Sequence, residues 1–311
     1  MSTLSVDVTG NPENVTLLRV IVATALNLLL SPLYVLLLVF CFVLSVSPLF
    51  PARIARENFK TRLQLGATAR VLATTATLFH YVLVAIEDFI FWPLNLITIR
   101  DNPTARKEVV NSSIDAANQK KGIIVLSAHF GNIEVTAQCL NSLLCGQVSV
   151  EKRIIALAKP GKSEWMTNAL AWYRNKRGIE VLWTNRKDLV KAMLQSIKAG
   201  RAVALLVDQK PASAGHFIEF FGKQSAFPDG GIEVALRSNA NFIFVTSRRI
   251  FPGFYTFEGR SLAVSEGNKL DASIVLSEYA RWLERVIEIS PWQWCWDYKK
   301  WSRQPNAGVS T

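Results

Sequence analysis

His129 and Glu134 stand five positions apart in the run Ser127-Ala128-His129-Phe130-Gly131-Asn132-Ile133-Glu134. The run follows a continuous apolar stretch, Gly122–Ala128, which predicts a buried strand. It precedes Ile133–Leu144, whose spacing predicts a helix. These residue types suit base chemistry. An imidazole titrates near neutrality, and a carboxylate on its far nitrogen fixes the tautomer and raises its basicity. If Phe130-Gly131-Asn132 reverses the chain and Asn132 caps the helix, Glu134 is expected to fold back towards His129. The helix start offers N–H donors and a positive dipole end, suited to an oxyanion or a phosphate. Gly131 and Asn132 are therefore candidate substrate contacts. The HxxxxE spacing alone is weak, and its place at a strand-to-helix junction is what singles it out. The other two histidines are less placed for chemistry: His80 falls on an amphipathic helix and His216 in a glycine-containing loop.

The elements that must position this pair alternate. Strands are expected at Ile154–Ala158, Ile179–Trp183, Ala202–Val207 and Phe242–Thr246. Helices are expected at Lys162–Lys176, Arg186–Ile197, Gly231–Ser238 and Ser273–Ile289. Arg56–Phe91 reads as one helix, ended by Trp92-Pro93. Alternating strand and helix implies an α/β fold, a largely parallel central sheet flanked by helices. Ligands bind beyond the carboxyl ends of such strands. A second polar cluster, Asp208-Gln209-Lys210, follows Ala202–Val207 at that end.

Residues 20–52 carry no charge, a run of 33 in a chain of 311 residues. About 20 such residues span a bilayer. The run is too long, and its upstream flank too acidic, for a cleaved signal peptide. Pro32 is expected to kink or split it. Arg53, Arg56, Lys60 and Arg62 follow it, so positive-inside logic puts the bulk of the chain in the cytoplasm of a bacterial inner-membrane protein. The expected division is an anchor at 1–52, a catalytic domain at 53–303 and a tail at 304–311. Net charge is +11, and all of the excess lies after the anchor. Basic residues are scattered and no nucleic-acid motif occurs, so nucleic acid is not an expected partner. The four cysteines lack metal-ligand spacing and read as buried thiols. No GxSxG elbow, Walker loop, GxGxxG or HExxH is present, so no metal, nucleotide or other cofactor is expected. The segment 292–301 interleaves four tryptophans with Lys299 and Lys300. That pattern fits a membrane interface or a packed aromatic core equally well.

Four blocks occur in order: LSAHFGNIE, NRKDLVKAMLQSIKAGRAVALLVDQ, FIEFFGKQSAFPDGG and SPWQWCWDYKKW. Together with the apolar N-terminal run they resemble the bacterial lipid A late acyltransferases, lauroyl and myristoyl type, of the HX4(D/E) glycerolipid acyltransferase-like superfamily. The resemblance spans roughly residues 17–303. It implies transfer of a fatty acyl chain from an acyl carrier protein thioester to a hydroxyl of a lipid acceptor. It implies that His129 is the catalytic histidine and Glu134 its partner carboxylate. It further implies that Arg177 is a substrate-binding arginine, with Arg174 the alternative, and that Asp208, the acidic residue of the DQ block, is a substrate-site residue that supports that arginine or positions the acceptor. Ile133 replaces a usual aromatic residue and Thr246 a usual proline. These departures keep other acceptors open: a phosphatidylinositol mannoside, an ornithine-type lipid, or an aryl or pigment ester. A non-enzymatic basic binding protein is the rival from another class.

Overall fold

The structure is a computed structural model. It describes residues 17–100, 102–145, 154–211, 215–262 and 270–303. The expected tail lies outside these. Leu17–Val46 forms one helix, α1, which runs through Pro32 without a break. At 1.5 Å per residue it is ~45 Å long, against a hydrocarbon core of ~30 Å. Ala23, Asn27, Cys41 and Ser45 are its buried stripe. Asn27 Nδ2 donates to the carbonyls of Ala23 (2.9 Å) and Pro252 (3.0 Å), which ties the helix to the body. Its other faces expose leucine, valine and phenylalanine. Among the described residues, two helices, α1 and Ala67–Phe91, are long and apolar enough to cross a bilayer.

The expected helix over 56–91 is two helices, α2 (Phe50–Arg62) and α3 (Ala67–Ile86). The apolar spacing continues across the gap and hides it. Gln64 adopts φ +53°, which no helix interior tolerates, and α3 restarts after Gly66. α3 then widens into a π-turn, Glu87–Phe91, before Pro93. The remaining elements are β1 (Thr98–Arg100), α4 (Pro103–Asn118), β2 (Ile123–Ser127), α5 (Ile133–Cys145), β3 (Ile154–Ala158), α6 (Glu164–Lys176), β4 (Ile179–Trp183), α7 (Leu189–Lys198), β5 (Ala202–Leu206), β6 (His216–Phe220), β7 (Lys223–Phe227), α8 (Gly230–Arg237), β8 (Asn241–Phe251), β9 (Phe254–Ser261) and α9 (Ala272–Ile289). His216 thus opens a strand rather than sitting in a loop.

Seven strands form one sheet in the order β1-β9-β8-β2-β5-β3-β4, and β6 and β7 pair as a separate hairpin. All neighbours in the large sheet are parallel except β8 and β9. β2 is buried on both faces, as its unbroken apolar run requires. Ile124 and Leu126 pack with α8 and α9, whereas Ile123 and Val125 pack with α4 and α5 on the opposite face. Connections from β2 and β5 diverge. β2 leads through α5 to β3 on one side, and β5 leads through α8 to β8 on the other. The crevice above β2 and β5 is the point at which such sheets bind ligands.

A buried polar chain joins α3, the β8–β9 hairpin and the turn after β2. Arg249 Nε and Nη2 donate to Glu87 Oε1 and Oε2 at 2.7 and 2.6 Å. Gly253 N–H donates to Glu87 at 2.8 Å, and the Tyr255 hydroxyl also donates to it. Arg249 Nη1 donates to His80 Nδ1. A guanidinium can only donate, so the His80 proton sits on Nε2, which donates to Gly131 O at 3.1 Å. His80, expected on an amphipathic helix face, is buried and structural. Glu87→Gln leaves the Arg249 charge uncompensated in the interior, an expected loss of about 3–5 kcal/mol. Denaturant unfolding in detergent checks this, and an unchanged midpoint would contradict it.

Candidate active site

β2 and β5 run parallel in register, with Ser127 opposite Leu206. Two residues further along each strand, His129 faces Asp208. The Asp208 Oδ1 accepts from His129 Nδ1 at 2.8 Å, and its Oδ2 accepts from the His129 backbone N–H at 2.9 Å. Trp294 Nε1 donates to the same Oδ2 at 2.9 Å. Asp208 has no solvent exposure, while the His129 side chain is one-third exposed (33 %). One nitrogen is therefore held from below and the other is open to the cavity.

Glu134, expected to fold back to the imidazole, points elsewhere. Its Oε1 accepts from Arg174 Nε at 3.0 Å and Nη2 at 2.9 Å. The reason lies in the helix cap. Asn132 Oδ1 accepts from the N–H groups of Glu134 (3.0 Å) and Val135 (3.2 Å), and this fixes the first turn of α5 with Glu134 turned to α6. The partner that sequence reasoning sought for His129 is Asp208. The signal was present as two strand-end polar clusters, but only the register shows that they meet.

Burial is the largest influence on both groups of this pair. For His129 it pushes the pKa down, but the Asp208 charge and hydrogen bond outweigh it and hold the imidazole above its ordinary value. For Asp208, burial pushes up, and the contacts with His129 and Trp294 outweigh it and hold the carboxyl below its ordinary value. Cys295 Sγ joins His129 and Asp208 in a group whose donor atoms lie within 4.8 Å. Burial pushes the Cys295 thiol well above its ordinary value, and His129 and Asp208 are bonded to one another.

The turn between His129 and α5 is clamped on three sides. Gly131 N–H donates to Gln293 O at 2.9 Å, and its carbonyl accepts from His80. Its φ is +62°, and a Cβ built there would lie 1.8 Å from Ser247 O. Because the Gly131 N–H is engaged, it does not serve as a donor to substrate. Asn132 is buried, its Nδ2 donating to Asp88 Oδ1 at 3.2 Å. Neither residue is in the cavity wall.

That cavity, of about 550 Å³, lies between the sheet, α5 and α6. His129, Glu134, Arg174, Lys159 and Lys210 line its mouth at the carboxyl ends of the strands. Val125, Leu140, Ala156, Leu170 and Val245 line its apolar depth, down to Ile154 and Ile179. β3 runs along it from Ala158 to Ile154, ~13 Å at 3.3 Å per residue. Ile133 is part of the wall. Arg177 is not. Its side chain is fully buried, stacked between Trp92 (3.7 Å) and Tyr173 (3.3 Å) and 3.6 Å from Asp88. Burial pushes it down to about 10. Arg174, one helical turn earlier, is the arginine at the cavity.

The tryptophan-rich C-terminal segment is core. Trp294 and Trp296 have no exposure, Trp301 is buried, and Trp292 alone of the four is substantially exposed. Lys300 is buried as well. Its Nζ donates to Ala226 O at 2.8 Å over the Phe227 ring, and burial pushes it down to about 7. Gln293 reaches the turn after His129 and Trp294 reaches Asp208, so this segment buttresses the candidate site. Gly131→Ala is expected to cost about 1–3 kcal/mol through overpacking and the positive φ, and to displace His129. Unfolding midpoints and a transfer assay on the same preparation check it, and normal values in both would contradict it.

A search of curated proteins finds no match to the chain. A family model described as bacterial lipid A biosynthesis acyltransferase matches residues 75–303. The match takes in the His129 turn, the Asp208 strand end, the cavity and the buttressing C-terminal segment. The chain belongs to the bacterial lipid A biosynthesis acyltransferase family.

Proposed function

We propose that this acyltransferase moves a fatty acyl chain from an acyl carrier protein thioester to a hydroxyl of a lipid A precursor. In this reading the catalytic domain, 53–303, works at the cytoplasmic face of a bacterial inner membrane, anchored by residues 1–52. The single observation that carries it is the junction of the His129–Asp208 pair with an apolar cavity. A cavity apolar in depth and cationic at its mouth suits an acyl chain whose thioester stops at the imidazole. Lys159 and Lys210 at that mouth suit an acidic donor or a phosphate-bearing acceptor. The apolar, 30-residue α1 supports the anchor.

The Nδ1–H of His129 donates to Asp208, which leaves Nε2 unprotonated as the general base. Nε2 takes the acceptor hydroxyl proton as the oxygen attacks the thioester carbonyl carbon. The tetrahedral oxyanion collapses, the C–S bond breaks, and the thiolate leaves with the proton returned by His129. An ester and a free thiol result, with no covalent enzyme intermediate. Arg174, oriented by Glu134, is the cation available to the oxyanion or to an acceptor phosphate. Arg177, Gly131 and Asn132 act in this reading by holding the site together rather than by touching substrate. A different lipid acceptor on the same chemistry is the second reading, favoured by aliphatic Ile133 in the cavity wall. His129→Ala is expected to lower transfer about 10²–10⁴-fold and, because it strips a donor from buried Asp208, to lower stability by about 1–3 kcal/mol. Membranes carrying the protein, assayed with a panel of carrier and coenzyme A thioesters and a lipid A precursor, measure this. Turnover near that of the unaltered protein would overturn the base assignment.

A further inference from the structure

The amphipathic helix that walls the cavity leaves its outer face uncovered. α6 contains no buried residue. Trp165 and Trp172 are 76 % and 65 % exposed and lie seven positions apart, on one stripe of the helix. The opposite side supplies Leu170 and Arg174 to the cavity. Lysines flank the stripe. Lys162 precedes the helix, and Lys176 ends it with its Nζ 5.9 Å from the Trp172 ring centroid. The patch continues beyond α6. Tyr173 packs against Trp92, with ring centroids 6.0 Å apart. On either side of Trp92, Phe89 and Leu94 are 77 % and 59 % exposed. They extend α3, which packs along the apolar α1.

Large exposed aromatics are costly in water and are rarely left as a continuous surface. Tryptophan and lysine together match one environment well: the ring sits at headgroup depth and the ammonium reaches anionic phosphate. We infer that the outer face of α6, with Phe89 and Leu94, lies in the interfacial layer of an anionic bilayer. It thereby sets the mouth of the His129 cavity against the leaflet from which a lipid acceptor enters. The inference rests on the membrane reading above and adds a second contact to α1.

The test is quenching of tryptophan fluorescence in the full chain, reconstituted into phosphatidylethanolamine–phosphatidylglycerol vesicles whose acyl chains carry bromine near the headgroup. The unaltered protein is compared with a Trp165→Phe/Trp172→Phe double variant. Seven tryptophans remain in the variant of the original nine. The expected result is strong quenching of the unaltered protein and loss of most of the quenched emission in the variant. Quenching is also expected to weaken when phosphatidylglycerol is replaced by phosphatidylcholine. Equal quenching of both proteins would overturn the inference. So would shielding of Trp165 and Trp172 from acrylamide by an acidic carrier protein in detergent but not by vesicles, since the face would then belong to a protein partner. The readout needs no turnover. Failed quenching in an active enzyme counts against the lipid contact alone, and quenching in an enzyme without transfer counts against the function alone.

Discussion

A carboxylate with no access to water has to be satisfied by donors, and Asp208 collects three of them from two distant parts of the chain. His129 gives a backbone N–H and a ring N–H, and Trp294 gives its indole N–H. Removal of any one donor leaves a buried charge short of partners, at a cost of about 1–3 kcal/mol or more. The parallel register of β2 and β5, the sharp turn after β2 and the return of the C-terminal segment are all needed to deliver those donors. The same contacts that stabilise the carboxylate orient the imidazole, so the folding constraint and the chemical one coincide.

The turn beyond His129 is held just as tightly. Gly131 is gripped at both its N–H and its carbonyl, and Ser247 leaves no space for a side chain. The grip on its carbonyl leads through His80 and Arg249 to Glu87, a buried ion pair between α3 and the β8–β9 hairpin. Movement of the N-terminal helices against the sheet would therefore be felt at the turn after His129. On the far side of the cavity Glu134 spends its charge on Arg174, which divides two carboxylates between two tasks: one holds the histidine and the other holds the cation.

Much of this was legible in the residues. The unbroken apolar run of β2 marks a strand buried on both faces, the apolar-rich segments of β3, β4 and β5 mark its companions, and their order with helices between them gives the parallel sheet. β8 runs to Phe251, past the expected end at Thr246, because Arg248 and Arg249 are paired with Glu258 and Glu87 and so tolerate a sheet position. The short β1, the polar-flanked β9 and the β6–β7 hairpin carry too little apolar periodicity to stand out. Sequence proximity points from His129 to Glu134 because it is a local measure, whereas the carboxylate that bonds the ring, Asp208, arrives across 79 residues through strand pairing. The tryptophan-rich C-terminus fits interface and core equally by sequence and its tertiary contacts decide for core, and the two most exposed tryptophans, Trp165 and Trp172, are on α6.

The most direct measurement of the central claim is the pH dependence of acyl transfer under single-turnover conditions. An imidazole acts as a base only when neutral, so with His129 as the proposed base the rate is expected to climb with pH through a midpoint above the ordinary histidine value of about 6.5. Asp208→Asn removes the charge that raises that midpoint and is expected to move it to lower pH, while Glu134→Gln leaves it in place. A midpoint shifted by Glu134→Gln and untouched by Asp208→Asn would contradict the account.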